Sequence, residues 1–348
     1  MMKQEKQKLQ EWLLQKIKKE YPEDISLVVV HDHLVLPGDD FKKAFDYYVP
    51  ATPRGNELAR TMIIHEIGLD LYPRSWERLE GMARMEDFNT CVLADARIIY
   101  SRTPEEAARF TALQAKLRAN LQDPAFMYQK ALENLDTAME LFKTMIFKED
   151  MSSLRLAAGY IQNYLGMALA CLNHTYLKNS QEDLLEELRE MPLLPEGLLP
   201  AMQRVIYTQE GAALKQLCYQ LIRMVRHLIE QHPAPAEAGK ASSLLGLADW
   251  YRELSYTWRR IRYYAERGDA QRCYQWGCML QEELNVVSAE FGLASMDLLG
   301  CYDPAHLTDF AEKADELEAQ IEEVLQAQGM APVHYACVDD FIKDEQTI

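Results

Sequence analysis

Residues 45–80, FDYYVPATPRGNELARTMIIHEIGLDLYPRSWERLE, decide the fold because they contain short runs in which apolar and polar residues alternate. A period of two is typical of a half-buried β-strand. It predicts one strand in AFDYYVP and two more in LARTMIIHEIGLDLYP, joined near His65–Gly68. Two of these strands carry one acidic residue each, Asp46 and Asp70. The sequence thus raises the question of why a half-buried sheet keeps a carboxylate on each of two strands.

The alternation in AFDYYVP also assigns its residues to two faces of the predicted sheet. One face receives Phe45, Tyr47 and Val49. The opposite face receives Ala44, Asp46 and Tyr48.

Helical and strand patterns flank this stretch on both sides. Apolar residues at helical spacing predict a helix over 3–20, and the apolar run ISLVVV predicts a strand over 25–30. Ser75 is placed to cap a second helix, and ARIIYS (96–101) reads as a last strand. Thr103 and Glu106 form a capping box before a helix that ends near residue 121. The class predicted for this part is α+β with a small mixed sheet.

The rest of the chain has a helical pattern throughout. Pro- and Gly-containing stretches divide it into long predicted helices. Their ranges are 126–147, 151–177, 181–190, 197–232, 237–267, 269–291 and 304–328. We therefore predict a mixed α/β domain over 1–121, an all-helical bundle over 122–329 and a C-terminal tail over 330–348.

The charge is unevenly distributed between the two parts. Residues 1–120 hold 18 Lys and Arg against 19 Asp and Glu, whereas residues 121–348 hold 19 against 35. An acidic body repels nucleic-acid phosphates, so general nucleic-acid binding is disfavoured, while a small cation is attracted.

The sequence shows no signal peptide and no uncharged run of membrane-spanning length, which predicts a cytoplasmic protein. Its seven cysteines are interpreted as reduced and mostly buried thiols.

Asp46 and Asp70 are the candidate functional residues. If their strands are neighbours, both carboxylates can face one side of the sheet within reach of a single Mg²⁺ ion. Magnesium prefers oxygen ligands, and a nucleoside triphosphate supplies further ones. Binding of such a nucleotide is a chemical reason for keeping acids on a sheet.

The run DYYVPATPRGNELARTMIIHEIGLDLYPRSWERL, continued by LADARIIYSR, resembles the bacterial branch of the nucleotidyltransferase superfamily that includes antibiotic nucleotidyltransferases. The resemblance covers roughly residues 25–120, and GLDLYPRSWERLE is its most specific part. In that family, a Gly-Ser turn holds the triphosphate. Two acids spaced i, i+2 on one strand and a third on a neighbouring strand bind metal ions or take a proton from the attacking hydroxyl.

The resemblance implies that Asp46 is the second acid of the pair and Asp70 the third, both as metal ligands and as catalytic residues. The first acid falls on Ala44, which cannot bind metal, and the Gly-Ser turn falls near Asp32-His33. The loop residues Asp39 and Asp40 are candidates for the missing ligand. His33 and Gly38 are the candidates for contacting phosphate.

The implied function is a Mg-dependent transfer of a nucleoside monophosphate from a triphosphate to a hydroxyl of a small, cationic acceptor held by the bundle. The incomplete motif predicts that catalysis is impaired, so enzymatic activity is left open. The alternative is a non-catalytic ligand-binding or regulatory protein that uses the cleft between the two predicted domains. Each acid also has a structural interpretation: Asp46 can be a solvated residue, and Asp70 can pair with Arg74 or Arg78.

Two further motifs in the helical part suggest other functions. The arginine-rich stretch 258–276 (WRRIRYYAERGDAQRCYQW) could contact nucleotide phosphates, but pairing with neighbouring acids is the favoured interpretation. Arg226 and His232 have the Arg-x(5)-His spacing of helical ribonucleases of the HEPN type. Chance matches to so short a motif are frequent in helical proteins, so this is the weakest alternative.

Overall fold

The computed structural model describes residues 2–31, 43–87, 89–179, 183–233, 244–330 and 332–345. The chain divides into two compact units, Met1–Pro235 and Ala236–Ile348. The first unit contains a five-stranded mixed sheet followed by helices, and the second is helical. The predicted α+β class is therefore confirmed, while the domain boundary expected at residue 121 stays a prediction.

The strands of the first unit follow the predicted runs closely. They are β1 (Ile25–Val30), β2 (Tyr47–Pro50), β3 (Arg60–Ile64), β4 (Ile67–Pro73) and β5 (Arg97–Ser101). Their order in the sheet is β3-β4-β2-β1-β5. Strands β2 and β4 are parallel, and the other neighbouring pairs are antiparallel.

Nine helices are described in the first unit. They are α1 (Met2–Glu20), α2 (Trp76–Ala83), α3 (Cys91–Ala94), α4 (Pro104–Leu121), α5 (Pro124–Met145), α6 (Met151–Leu172), α7 (Leu184–Arg189), α8 (Leu198–Tyr207) and α9 (Gly211–Gln231). Ser75 and Thr103 cap α2 and α4 through side chains that accept backbone N–H bonds from Arg78 and Glu106. These caps were predicted from the sequence.

Two predicted helices are shorter in the structure. The helix expected over 151–177 ends at Leu172, because the Asn173 side chain bonds the backbone N–H and carbonyl of Leu193 and the chain turns there. The helix expected over 197–232 is broken into α8 and α9. Thr208 is extended at the break and its hydroxyl donates to the Arg204 carbonyl at 2.6 Å.

The two faces of the sheet pack against different helices. Leu27, Val29 and Tyr47 belong to a hydrophobic cluster that also contains buried residues of α2 and α4–α9. Val28, Tyr48 and Leu71 pack on the opposite face against Leu13 and Ile17 of α1. The first cluster thus joins one face of the sheet to the helical part of the unit. We call this face the bundle face.

A 3-10 turn, Pro53–Leu58, follows β2 and packs closely against the start of β1. A Cβ atom placed on Gly55 would lie 2.3 Å from the Asp24 carbonyl oxygen and 2.9 Å from Pro50 Cβ. Gly55→Ala is expected to lower the free energy of unfolding by about 1–3 kcal/mol, since backbone atoms would have to move. Gly68→Ala is the matched control because that position has no atom within 4 Å of a new Cβ. Urea denaturation of both variants measures the difference, and equal midpoints would contradict the expected clash.

The second unit has its own core. Its helices are α10 (Leu244–Ala265), α11 (Ala270–Phe291), α12 (Leu307–Ala327) and α13 (Val338–Glu345). Trp258, Leu280 and Phe310 are central buried residues of this cluster. Across the described part of the whole chain, no helix is both long enough and apolar enough to cross a bilayer.

Candidate functional site

The strands that carry the two candidate aspartates are neighbours, as the prediction required. Strands β2 and β4 run parallel, with Tyr47 opposite Tyr72. Asp70 lies within β4, whereas Asp46 is the residue just before β2. The Asp46 N–H donates to the Val29 carbonyl at 3.0 Å, which ties this residue to β1.

Both aspartates lie on the bundle face. Asp70 and Tyr72 are two residues apart on one strand, so their side chains share a face. Tyr72 packs against the cluster of the bundle face, and its hydroxyl donates to Asp46 Oδ1 over a long distance of 3.5 Å. The two acids that sequence analysis singled out are therefore on the same side of the sheet.

The faces predicted for Phe45 and Asp46, just before β2, are wrong, whereas Ala44 lies on the face of Tyr48 as predicted. Ala44 and Phe45 both pack on the α1 side, although alternation assigned them to opposite faces. The pleat begins only at Tyr47, so the period of two does not extend back to residue 44. Ala44 is fully buried, and its carbonyl accepts a bond from Gln10 of α1 at 2.7 Å. A carboxylate at this position would not face the two aspartates.

Arg74 is a functional candidate that sequence analysis missed. Its side chain is 4% exposed, and its Nε and Nη2 donate to the Tyr72 hydroxyl at 3.2 and 2.5 Å. The guanidinium also lies 4.8 Å from the Tyr47 ring centroid and 5.1 Å from that of Tyr72. The Tyr72 hydroxyl thus accepts hydrogen bonds from the buried Arg74 guanidinium and donates one to Asp46. Alternation along β4 places Tyr72 on the face of Asp70, and this pattern was the sequence signal that could have pointed to Tyr72 and its contact with Arg74.

The uncharged groups around Asp46 are held in their protonated forms. Burial raises the pKa of Tyr47 strongly and the nearby Asp46 carboxylate adds to the shift, although Arg74 opposes it. Burial also raises the pKa of Tyr72, again with a contribution from Asp46. Burial, with the charge of Asp95, raises the pKa of the Cys91 thiol to about 11. Neither a tyrosinate nor a thiolate is therefore available here at neutral pH, which leaves proton acceptance to the carboxylates.

Asp70 is exposed and accepts a hydrogen bond from Thr61 of β3 at 3.1 Å. The arginines suggested as alternative partners make other contacts: Arg74 bonds Tyr72, and Arg78 forms an ion pair with Asp87 at 2.9 Å. An exposed carboxylate beside a hydroxyl is accessible to a ligand from solvent.

The residues predicted to contact phosphate, His33 and Gly38, lie outside the described residues. So do Asp32, at the predicted position of the turn, and the candidates for the missing metal ligand, Asp39 and Asp40. Within the described ranges, no three His, Cys, Asp or Glu side chains are grouped so that they could hold a metal ion. Of the candidate ligands, Asp46 and Asp70 are the two within the described ranges, and their carboxylate oxygens are of the kind that Mg²⁺ prefers. Further ligands would have to come from a nucleotide, water or residues outside those ranges.

An acidic pocket of about 310 Å³ lies where the loop after α2 meets α5 and α6. Its charged residues are Glu86, Asp87, Glu133 and Lys130. Burial opposes ionisation of Asp87, but the Asn89 N–H and the Arg78 and Arg74 cations outweigh it, so the pKa of Asp87 lies below its ordinary value. Each carboxylate already has a cation partner: Glu86 pairs with Arg84, Asp87 with Arg78 and Glu133 with Lys130. A positively charged ligand would have to replace one of these partners.

The arginine-rich stretch makes the contacts of the structural interpretation. Arg262 forms ion pairs with Asp315, at 2.5 Å, and with Glu318. Arg272 pairs with Asp269 at 2.6 Å, and Arg260 stacks over Trp276. These contacts all lie within the second unit, so the structure gives no support for a phosphate site there.

The Arg-x(5)-His pair is not brought together into one site. Arg226 pairs with Glu230 at 2.8 Å and lines one cavity, whereas His232 bonds the Leu228 carbonyl and lines another. Six residues along a helix correspond to a rotation of roughly 240°, which separates the two side chains. This geometry does not support the ribonuclease alternative.

No known protein family and no curated protein matches this chain. Among solved structures, the chain is similar to a nucleotidyltransferase-like protein from Exiguobacterium sibiricum, with a TM-score of 0.36 and 10% sequence identity. The similarity covers 95% of each chain. Both values are too low to assign a family or a function.

Proposed function

We propose that the part of the bundle face that carries Asp46 and Asp70 is a nucleotide site of the nucleotidyltransferase type. The observation that carries this proposal is that Asp46, just before β2, and Asp70, in the adjacent parallel strand β4, lie on one side of the sheet. A sheet gains no packing from these groups, but a nucleoside triphosphate with its Mg²⁺ ion requires them.

Asp46 and Asp70 would hold the Mg²⁺ ion, which would neutralise charge on the triphosphate. The ancestral reaction would be transfer of a nucleoside monophosphate to a hydroxyl of a small acceptor. In this reaction, Asp70 is the candidate for taking the proton of that hydroxyl, because it is exposed. Such transfer depends mainly on positioning and electrostatic stabilisation, so an incomplete ligand set weakens it directly.

We propose that transfer is impaired for two reasons. Ala44 stands where the family has its first acid and faces α1. Arg74 places a permanent buried cation one hydroxyl away from Asp46, and a cation there opposes binding of a metal ion at the same carboxylate. These features favour the alternative of a non-catalytic protein that binds or senses a nucleotide.

The acidic pocket beside α2, α5 and α6 is the proposed acceptor site if transfer occurs. A small cationic acceptor would bind there by replacing one of the cations that pair with Glu86, Asp87 and Glu133. Asp87 connects this pocket electrostatically to Arg74 and thereby to the aspartates.

Thermal shift tests the nucleotide proposal. Millimolar ATP, GTP, CTP and UTP are each added with Mg²⁺ or with EDTA. A nucleotide at about ten times its Kd stabilises the folded state by about 1.4 kcal/mol, which is roughly 3–6 °C for a unit of this size. We expect a rise of this order for at least one nucleotide, and only with Mg²⁺.

Asp46→Asn and Asp70→Asn should remove the Mg²⁺-dependent part of the rise, measured from each variant's own melting temperature. Asp136→Asn, an exposed change on α5, is the matched control and should keep it. No rise with any nucleotide, or an equal rise in EDTA, would refute a metal-nucleotide site at these aspartates.

A further inference from the structure

An open groove of about 900 Å³ runs between α5 and α9 in the first unit. Its floor is apolar and partly exposed: Ile146 is 46% exposed, Tyr219 44% and Met139 36%. Phe142 stacks on Tyr219 with ring centroids 6.1 Å apart, which shapes the middle of the groove. An apolar groove of this size between two helices can accept one side of a third helix.

Cations line this groove. Its charged lining residues are Lys143, Arg223, Arg226 and Glu230. Arg226 pairs with Glu230 at 2.8 Å, and Lys143 pairs at the surface with Glu140 at 3.3 Å. Arg223 lies 5.8 Å from the Tyr219 ring centroid and forms no ion pair with any described residue. The groove lining therefore carries a small net positive charge, supplied mainly by Arg223, in a part of the chain that is otherwise acidic. Its partner should be apolar on one side and negatively charged.

The short helix α13 has this chemistry. Val338, Phe341 and Ile342 are spaced i, i+3, i+4, so they form one apolar stripe. They are 72%, 45% and 43% exposed. The same helix carries four acidic residues and one lysine. Tyr335, just before α13, packs edge-on against Phe341, and its hydroxyl donates a hydrogen bond to Asp344. These two contacts hold Tyr335 against the helix.

We propose that α13 of one copy of this chain binds in the α5–α9 groove of a second copy. The apolar stripe of α13 covers the groove floor, and its acidic residues meet Arg223 and Lys143. Because each copy has both the groove and the helix, two copies exchange their C-terminal helices in a reciprocal dimer with twofold symmetry. This dimer does not depend on nucleotide binding, so failure of either proposal leaves the other standing.

Sedimentation velocity of the full chain over a range of concentrations tests the dimer. We expect a monomer–dimer equilibrium that weakens as salt rises, because the charged contacts are at the surface. Phe341→Ser/Ile342→Ser and Arg223→Glu should each weaken dimerisation at least tenfold. Leu156→Ser, which is 64% exposed on α6, and the exposed Arg204→Glu on α8 are matched controls and should leave it unchanged.

Zero-length cross-linking identifies the contact. A mixture of ¹⁴N- and ¹⁵N-labelled chains is treated with a carbodiimide, and peptides are analysed by mass spectrometry. We expect Lys143 to be joined to an acidic residue of α13 in pairs that carry one label of each kind. Monomeric protein at all concentrations, cross-links within single chains only, or a dimer that the α13 and Arg223 variants leave intact would each overturn the proposal.

Discussion

Aspartate in place of Ala44 is expected to lower the free energy of unfolding by about 3–5 kcal/mol, because it buries a carboxylate with no compensating cation. Ala44 is fully buried with Phe45 in the cluster beneath α1, and Gln10 already bonds its carbonyl. The added side chain would also overfill this packed site. The substitution would restore the first acid of the family pattern in sequence but not in space.

Urea denaturation followed by circular dichroism measures the effect. Ala112→Asp on the exposed face of α4 is the matched control and should cost less than about 1 kcal/mol, mostly through helix propensity. A stable Ala44→Asp protein that binds nucleotide more tightly with Mg²⁺ would show that this residue faces the aspartates after all. That result would restore the catalytic interpretation.

Arg74→Leu is expected to lower the free energy of unfolding by about 2–4 kcal/mol. The variant loses two cation–π contacts and two hydrogen bonds to Tyr72. Arg74→Lys should rescue little of this loss, since an ammonium group cannot reproduce the planar guanidinium that stacks between the tyrosines.

Arg78→Leu is the control for Arg74→Leu. Arg78 is half exposed in its ion pair with Asp87, so its replacement should change stability by less than about 1 kcal/mol. Chemical denaturation of the three variants gives the comparison. Equal stability of the Arg74→Leu and Arg78→Leu proteins would mean that the Arg74–Tyr72 contact is not a structural element of the site.

Much of the sheet could be predicted because its strands are encoded locally. The runs ISLVVV and IGLDLYP have a strand pattern in sequence, and both are strands in the structure. The family resemblance also led us to expect that the strands of Asp46 and Asp70 are neighbours in the sheet. Helix caps at Ser75 and Thr103 depend on adjacent residues only, which explains why they were found.

The sequence-based predictions that failed concern properties that depend on distant parts of the chain. The start of β2 is set by pairing with β1 and β4, so alternation alone extended the strand too far and gave Phe45 and Asp46 the wrong faces. Burial of Arg74 depends on the packing of α2 through Met82, which sequence spacing does not reveal. The break between α8 and α9 arises from a side-chain bond of Thr208 that competes with the helical backbone.

The hydrophobic cluster on the bundle face extends from Leu27 in β1 to Ile229 in α9 without interruption. Residues of the sheet and residues about two hundred positions later therefore bury one another, and neither set has a separate interior on this side. Such sharing favours cooperative loss of structure: loosening α9 would expose the sheet to solvent and disturb the strands that hold Asp46 and Asp70. A ligand bound at those aspartates would, by the same linkage, protect the amides of α9 against hydrogen exchange.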